Sequence, residues 1–387
     1  MKLLRKVIFW CHLLVGVSAG LVVMNMAVTG IILAFEPQIV RFTERNVRTV
    51  SPLENGARHL GAQALFAKVH EIKPGVKPTS LTLQADPTAA AVITLGREGV
   101  LYLNPYTGEL IGKGSKTRYF FQKITDWHRW FALEGESRAI GRAITGACSI
   151  AFFILAITGI YIWWPKKWTK QQLTMAMVFK SGLKGRARDF NWHTVIGFWC
   201  APILILSTIT GIIFSYQWAE NLLYTLTGSE KPLPPKSNDR KGQSPEIPNN
   251  LDQLWSRAEQ QISEWQSISL RLPTSPDMPV TFSISDGRSW NPLSRSQLTL
   301  NRTTAEVVKW EPYASFSLGR RLRTWVRPVH TGEALGLLGQ MLVCLAAIGS
   351  LLLVWTGLSL MLRRLRAWVA RRLAERDLAS TGQRHMI

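Results

Sequence analysis

Four stretches of this 387-residue chain are apolar for long enough to cross a bilayer, and they constrain the fold more than any other feature. They cover roughly residues 7–35, 139–164, 192–216 and 336–362. A membrane helix needs about 20 apolar residues, because each adds about 1.5 Å against a hydrocarbon core of roughly 30 Å. Two long polar stretches, 36–138 and 217–335, separate the runs. The sequence therefore describes an integral membrane protein with soluble segments. Lys2, Arg5 and Lys6 precede the first run, as in a signal peptide. A signal h-region is only about 7–15 residues long, and no small-x-small cleavage site follows, so the run is read as a retained helix.

The net charge of +21 has a location. Lys and Arg cluster before the first span. They cluster again between the second and third (Lys166, Lys167, Lys170, Lys180, Lys184, Arg186, Arg188) and after the fourth (Arg363, Arg364, Arg366, Arg371, Arg372, Arg376). The positive-inside rule puts both termini and the 165–191 loop in the cytoplasm, and the polar stretches on the other face. In a bacterial inner membrane that face is the periplasm. The expected layout starts with a cytoplasmic start and first helix (1–36), an external domain (37–138) and a second helix (139–164). A basic loop (165–191), a third helix (192–216) and a second external domain (217–335) with a linker at 228–250 come next. A fourth helix (336–362) and a basic tail (363–387) complete it. Topology accounts for the charge, so lipid is the expected partner and nucleic acid is not. Cys11, Cys148, Cys200 and Cys344 all fall in apolar runs, where they give no disulfide framework and read as small buried hydrophobes.

The chain looks like two copies of helix, external domain and helix. The first helix carries His12-x3-Gly16 and Thr29-Gly30-Ile31-Ile32; the third carries His193-x3-Gly197 and Thr210-Gly211-Ile212-Ile213. Histidine and threonine are 17 residues apart in both. The second and fourth helices end alike, with Thr158-Gly159-Ile160 and Thr356-Gly357-Leu358, downstream of His128 and His330 by 30 and 26 residues. The external stretches read as small α+β units. Helices are expected at 62–71 and 251–263, and strands at 80–83, 91–95, 100–104, 267–272, 280–284 and 297–301. A turn at 105–109 has its counterpart at 301–306.

A histidine near a transmembrane helix is costly without a partner or a task. Four of them sort by depth: His12 and His193 begin helices at the cytoplasmic end, and His128 and His330 precede helices at the periplasmic end. A b-type haem takes two axial imidazoles from facing elements. The expected pairs are His12 with His193 and His128 with His330, one ligand from each repeat, holding two haem b groups. From His12 to Thr29 a helix rises about 25 Å, most of the membrane core. No Cys-x-x-Cys-His occurs, which argues against covalent c-type haem. A continuous helix from His128 to Trp164 would be about 55 Å long, so His128 is expected on an interfacial turn before the span. Arg129, Arg321 and Arg323 on the outer side, and Arg5, Lys6 or Arg188 on the inner side, are candidates for haem propionates. Positive-inside charge or solvated surface explains each as readily. Trp127, Trp130, Trp163, Trp164, Trp192 and Trp325 read as an aromatic belt, and His59, His70 and His385 as surface residues. No nucleotide, flavin or hydrolase motif appears, so an electron donor, cytoplasmic or membrane-bound, must come from elsewhere.

His12…Thr29-Gly30, Trp127-His128-Arg129-Trp130, Asp189-Phe190-Asn191-Trp192-His193 and His330-Thr331-Gly332-Glu333-Ala334-Leu335-Gly336 together resemble the PepSY-associated transmembrane family. The 102–109 segment is similar to a PepSY strand-turn-strand, while 301–306 departs from it by lacking the glycine. The resemblance implies an iron-regulated inner-membrane protein of the ferrisiderophore reductase type, with a ferric siderophore as substrate on the periplasmic side. Two other readings stay open. One is a non-redox PepSY sensor or regulator that binds a periplasmic peptide or protein. The other is a quinol-linked di-haem cytochrome with a different acceptor.

Overall fold

A computed structural model describes residues 2–51, 58–164, 169–232, 246–275 and 278–384. Lys166 and Lys167 of the basic loop, most of the 228–250 linker, and His385 lie outside the described residues. In chain order the first half holds α1 (Lys2–Leu33), α2 (Glu36–Thr43), α3 (Arg45–Arg48), α4 (Ala62–Ile72), β1 (Ser80–Gln84), β2 (Ala91–Thr94), β3 (Val100–Leu103), β4 (Leu110–Lys113), α5 (Lys116–Trp130) and α6 (Arg138–Trp163). After α7 (Lys170–Met177) come α8 (Gly185–Ser215), α9 (Gln217–Leu226), α10 (Leu251–Gln261), β5 (Ser267–Arg271), β6 (Val280–Ser285), β7 (Ser296–Leu300), β8 (Val307–Glu311), α11 (Leu318–Thr331) and α12 (Gly336–Arg384). These elements form two compact units.

The first unit gathers Met1–Ala34, Ile124–Gln217 and Val329–Ile387. Among the described residues, α1, α6, α8 and α12 contain the four segments long and apolar enough to cross a membrane. The chain is a multi-pass membrane protein. Helix α1 packs against α6 and α12, and α8 packs against the same two. Hence α1 and α8 stand diagonally across the bundle, as do α6 and α12. Small residues allow the close approach that membrane helices need. A Cβ on Gly16, Gly20 or Gly197 would sit 3.5–3.7 Å from Leu155, Val354 or Leu353, and one on Gly349 would lie 2.5 Å from Cys200 Sγ. Asp189, fully buried near the start of α8, accepts from Arg188 (2.8 Å) and from Ser359 Oγ (2.7 Å) and Arg363 (3.3 Å) on α12. Asn191 holds the end of α7 in place by donating from Nδ2 to the carbonyls of Met175 (3.4 Å) and Val178 (3.3 Å), and it accepts from the Lys180 N–H just beyond at 3.0 Å.

Helix α12 continues well past residue 362, where a separate tail was expected. Between 362 and 384 the sequence is rich in Ala, Leu and Arg and has no proline, so nothing stops the helix leaving the apolar region.

The second unit gathers Phe35–Lys123 and Trp218–Pro328 around one antiparallel sheet of order β4-β3-β2-β1-β5-β6-β7-β8. The two external stretches, expected as separate domains, share this sheet. Its seam pairs β1 with β5 over Ser80↔Arg271 to Gln84↔Ser267. Had each stretch folded alone, β1 and β5 would each present an edge of unpaired N–H and C=O groups. Pairing removes both edges. Burial alternates along β1, β5, β6 and β7 with the period of two that a half-covered sheet requires. Leu81, Leu83, Ile93, Leu101, Ile268, Leu270, Phe282, Ile284, Leu298 and Leu300 form the buried face with Leu65 and Phe66 of α4 and Leu254 and Trp255 of α10. The other face carries hydroxyls, including a Thr82–Ser269 hydrogen bond of 2.8 Å across the seam. Because one sheet contains both stretches, they lie on the same side of any membrane the bundle crosses.

The 301–306 turn resolves its missing glycine. Asn104 Oδ1 accepts from Tyr106 N at 2.9 Å, and Gly108 adopts φ +72°. Asn301 Oδ1 accepts from Thr303 N at 2.9 Å, and Ala305 occupies the matching place at φ +58°. Such a conformation costs a non-glycine residue about 1–2 kcal/mol. The methyl of Ala305 is packed in the core, which offsets part of that.

Candidate functional site

The bundle seats each of the four histidines against a threonine of a neighbouring helix. His12 Nδ1 lies 2.8 Å from Thr158 Oγ1, and His193 Nδ1 lies 2.9 Å from Thr356 Oγ1. His128 Nδ1 and His330 Nδ1 lie 2.8 Å from Thr29 Oγ1 and Thr210 Oγ1. Every Thr-Gly of the sequence repeat is therefore a histidine seat. The glycine provides the flat spot beside the ring: a Cβ on Gly30, Gly159, Gly211 or Gly357 would stand 3.5–3.8 Å from the imidazole Cε1. None of the four Nε2 atoms has a hydrogen-bond partner among the described residues.

The seats form two tiers about 25 Å apart along α1, the rise from His12 to Thr29. In one tier, His12 of α1 and His193 of α8 sit on the threonines of α6 and α12. In the other, the rings of His128 and His330 are 6.3 Å apart between centroids, inclined at 66°. Two imidazoles bound to one metal at about 2 Å, with a ring radius of roughly 1.2 Å, stand roughly 6–6.5 Å apart. Among the described residues no cluster of three or more His, Cys, Asp or Glu is arranged to hold a metal. Two facing imidazoles suit a metal already held in a planar macrocycle, rather than a tetrahedral ion that needs three or four protein donors.

His128 was expected on a turn before the span; it lies in the last turn of α5. The chain then reverses through Phe131 and Ala132, both at φ 54°, and α6 begins at Arg138. Two left-handed residues cost about 1–2 kcal/mol each, and docking of the helix end offsets this. Thr145 Oγ1 donates to the Arg129 carbonyl at 2.9 Å, and Gly141 packs against the Trp130 backbone with no room for a Cβ. His330 is held similarly at the end of α11, where Gly332 turns the chain at φ +81° and its backbone packs against Gly339.

Some polar atoms in this unit are buried without a partner among the described residues: the donors Asn25 Nδ2, Trp130 Nε1 and Arg138 Nε, and the acceptor Gln172 Oε1. A buried unpaired donor costs about 1–3 kcal/mol, so the three donors point to a group rich in acceptors. Around Trp130 that group would be an anion: the Arg129 and Arg138 guanidiniums stack 4.6 and 5.1 Å from the indole centroid. A cavity of about 510 Å³ is lined by Arg5, Trp163, Trp164, Gln172, Phe190 and Thr194 among others.

The other basic candidates are occupied elsewhere. Arg321 donates to the Ala314 carbonyl, and Arg323 pairs with Glu220 at 2.7 Å, both inside the sheet unit. Arg5 donates to the carbonyls of Ile162 and Trp164, Arg188 pairs with Asp189, and Lys6 is exposed. His59, expected on the surface, is partly covered and stacks on Tyr106 at 4.9 Å; His70 is exposed. Sequence reading missed Arg138 and Asn25 and assigned Trp130 to the belt. The threonines were visible only as repeat markers. Their fixed interval from a histidine was the available signal.

The family model for the PepSY-associated TM region matches residues 9–364, and the chain belongs to that family. No curated protein matches the chain.

Proposed function

Starting from membership of the PepSY-associated TM region family, we propose that this protein is a di-haem b electron carrier of the bacterial inner membrane that reduces ferric-siderophore iron on the periplasmic side. The observation that carries this reading is the pair of tiers, each with two imidazoles fixed through Nδ1 and open at Nε2. His12 and His193 would hold one haem, His128 and His330 the other. Asn25, Trp130 and Arg138, whose buried N–H groups lack acceptors, are suited to haem carboxylates. When bound, the haems supply one-electron redox chemistry at two depths.

The chain's own residues do the rest. The threonines hold the rings, the adjoining glycines pack beside them, and the aliphatic bundle excludes water. The two-repeat reading extends this. Helices α1 and α6 stand to α8 and α12 as one helix–external segment–helix copy to another, each giving one histidine to each tier. With both external segments in the periplasm, as the basic 165–191 loop suggests, the ferric chelate would meet the sheet unit. Electrons would enter at the His12–His193 end from a cytoplasmic or membrane donor. Reducing Fe(III) weakens the grip of a hard-oxygen chelator, which releases the iron.

The test is haem quantitation on purified full-length protein, with a dithionite-minus-air spectrum and capture of Fe(II) from a ferric chelate by a chromogenic ferrous ligand. Two haems per chain and Fe(II) release are expected. A folded, colourless protein would sink the haem reading and favour the non-redox PepSY regulator. Two haems that a quinol reduces but a ferric chelate does not reoxidise would favour the quinol-linked cytochrome.

A further inference from the structure

Each seat threonine has one hydroxyl proton, and the structure shows where it goes. Thr29 Oγ1 donates to the Asn25 carbonyl at 2.7 Å and Thr158 Oγ1 to that of Ile154 at 2.6 Å. Thr210 Oγ1 donates to Leu206 O at 2.8 Å, and Thr356 Oγ1 to Leu352 O at 2.7 Å. This bond to the carbonyl four residues earlier is the ordinary habit of threonine in a helix. It leaves Oγ1 only lone pairs to offer. The Nδ1 atom 2.8–2.9 Å away must then be the donor. A carbonyl settles the same point at His330, whose Nδ1 also lies 3.1 Å from Ser207 O, an atom that can only accept. A neutral imidazole carries one N–H, so a proton fixed on Nδ1 leaves a lone pair on Nε2.

We propose that Thr29, Thr158, Thr210 and Thr356 are positioning residues that lock the four histidines in the Nδ1–H tautomer, with the Nε2 lone pair turned toward the metal. The lock also makes each imidazole a stronger electron donor, because an N–H given to an oxygen raises the basicity of the opposite nitrogen. The ferric form of a bound haem is thereby favoured and its reduction potential lowered. The electron-donating part of this inference rests on the di-haem reading; the tautomer part stands on the hydrogen bonds alone.

The two parts are tested separately on the full-length chain. In ¹⁵N-histidine-labelled protein produced under haem limitation, the four half-buried imidazoles should show the Nδ1–H pattern. Thr158→Val should release His12 alone to a mixture of tautomers, and Thr158→Ser should restore it. An Nε2–H pattern in the unsubstituted chain, or no change in Thr158→Val, overturns the lock whether or not the protein ever binds haem. In haem-loaded protein, Thr158→Val should raise the potential of one haem, leave the other unmoved, and weaken haem retention about tenfold or more. Serine should return both values toward the original. Haem retained at an unshifted potential in Thr158→Val overturns the electronic part. This arm does not require the haem-free chain to fold.

Discussion

Glu44 offers the most quantitative test of the sheet unit. Its carboxylate is fully buried and accepts from Arg118 Nη2 (2.6 Å), Arg118 Nε (2.8 Å), Tyr102 Oη (2.7 Å), Ser115 N (2.9 Å) and Arg48 Nη2 (3.2 Å). Burial alone would raise its pKa, but the bonds from Arg118, Ser115 and Tyr102 outweigh it and hold the carboxyl down at about 2, against an ordinary 4.5. Each unit of such a shift corresponds to about 1.4 kcal/mol, so the charged form contributes about 3 kcal/mol at neutral pH. Because the folded pKa lies below the unfolded one, this contribution is fully present above about pH 4.5. It is lost as pH falls toward about 2. Glu44→Gln removes it and leaves Arg48 and Arg118 uncompensated. For a unit of about 200 residues, roughly 3 kcal/mol is a drop of about 6–12 °C in melting temperature. Thermal unfolding of the detergent-purified chain at pH 7 reads this, with hydrogen–deuterium exchange of β3 and α5 assigning the change to the sheet unit. A variant melting within about 2 °C of the parent at pH 7 would refute the reasoning. So would a parent whose sheet-unit stability is flat between pH 5 and 2.

Three further outcomes follow from the bundle under the proposed di-haem reading. His330→Ala should lower haem from two per chain to one and halve the reduced-minus-oxidised Soret amplitude; loss of both haems from a folded protein would count against separate tiers. Gly141→Ala drives a methyl into the Trp130 backbone, should cost about 1–3 kcal/mol, and should displace the His128 haem, whereas Gly357→Ala meets His193 only at 3.5 Å and should keep both. Haem content and melting of the two variants, compared side by side, decide this. Asp189→Ala leaves the Arg188 and Arg363 guanidiniums without their shared buried carboxylate and should destabilise the α8–α12 contact by about 3 kcal/mol, read as earlier thermal loss of the His12–His193 haem.

Sequence reading reached some of this architecture and stopped short elsewhere for physical reasons. The apolar runs define the four spans because bilayer thickness imposes a length that few soluble sequences meet. The strand positions at 80, 91, 100, 267, 280 and 297 are legible because alternation with period two survives without knowledge of the partner. The seam between β1 and β5 is not legible, since any exposed edge strand is compatible with several partners. The depth of His128 is hidden for a related reason. It depends on two non-glycine residues, Phe131 and Ala132, taking left-handed backbone, which residue preferences argue against. The threonine seats stand between these cases: Thr-Gly is visible as a repeat, but its meaning appears only when His128 is found beside Thr29, 99 residues earlier.

The seam also has a schedule. Thr82 and Ser269, partners across it, are 187 residues apart in the chain. At synthesis rates of about 5–20 residues per second, roughly 10–40 s separate their emergence. During that interval β1 waits beside an unfilled place, while α6 and α8 must be threaded into the bilayer in opposite directions. A nascent chain that leaves either polar stretch on the wrong side cannot close the sheet, and two strand edges stay open as sites of aggregation or quality-control recognition. Closing the sheet thus requires that both polar stretches be delivered to the same side.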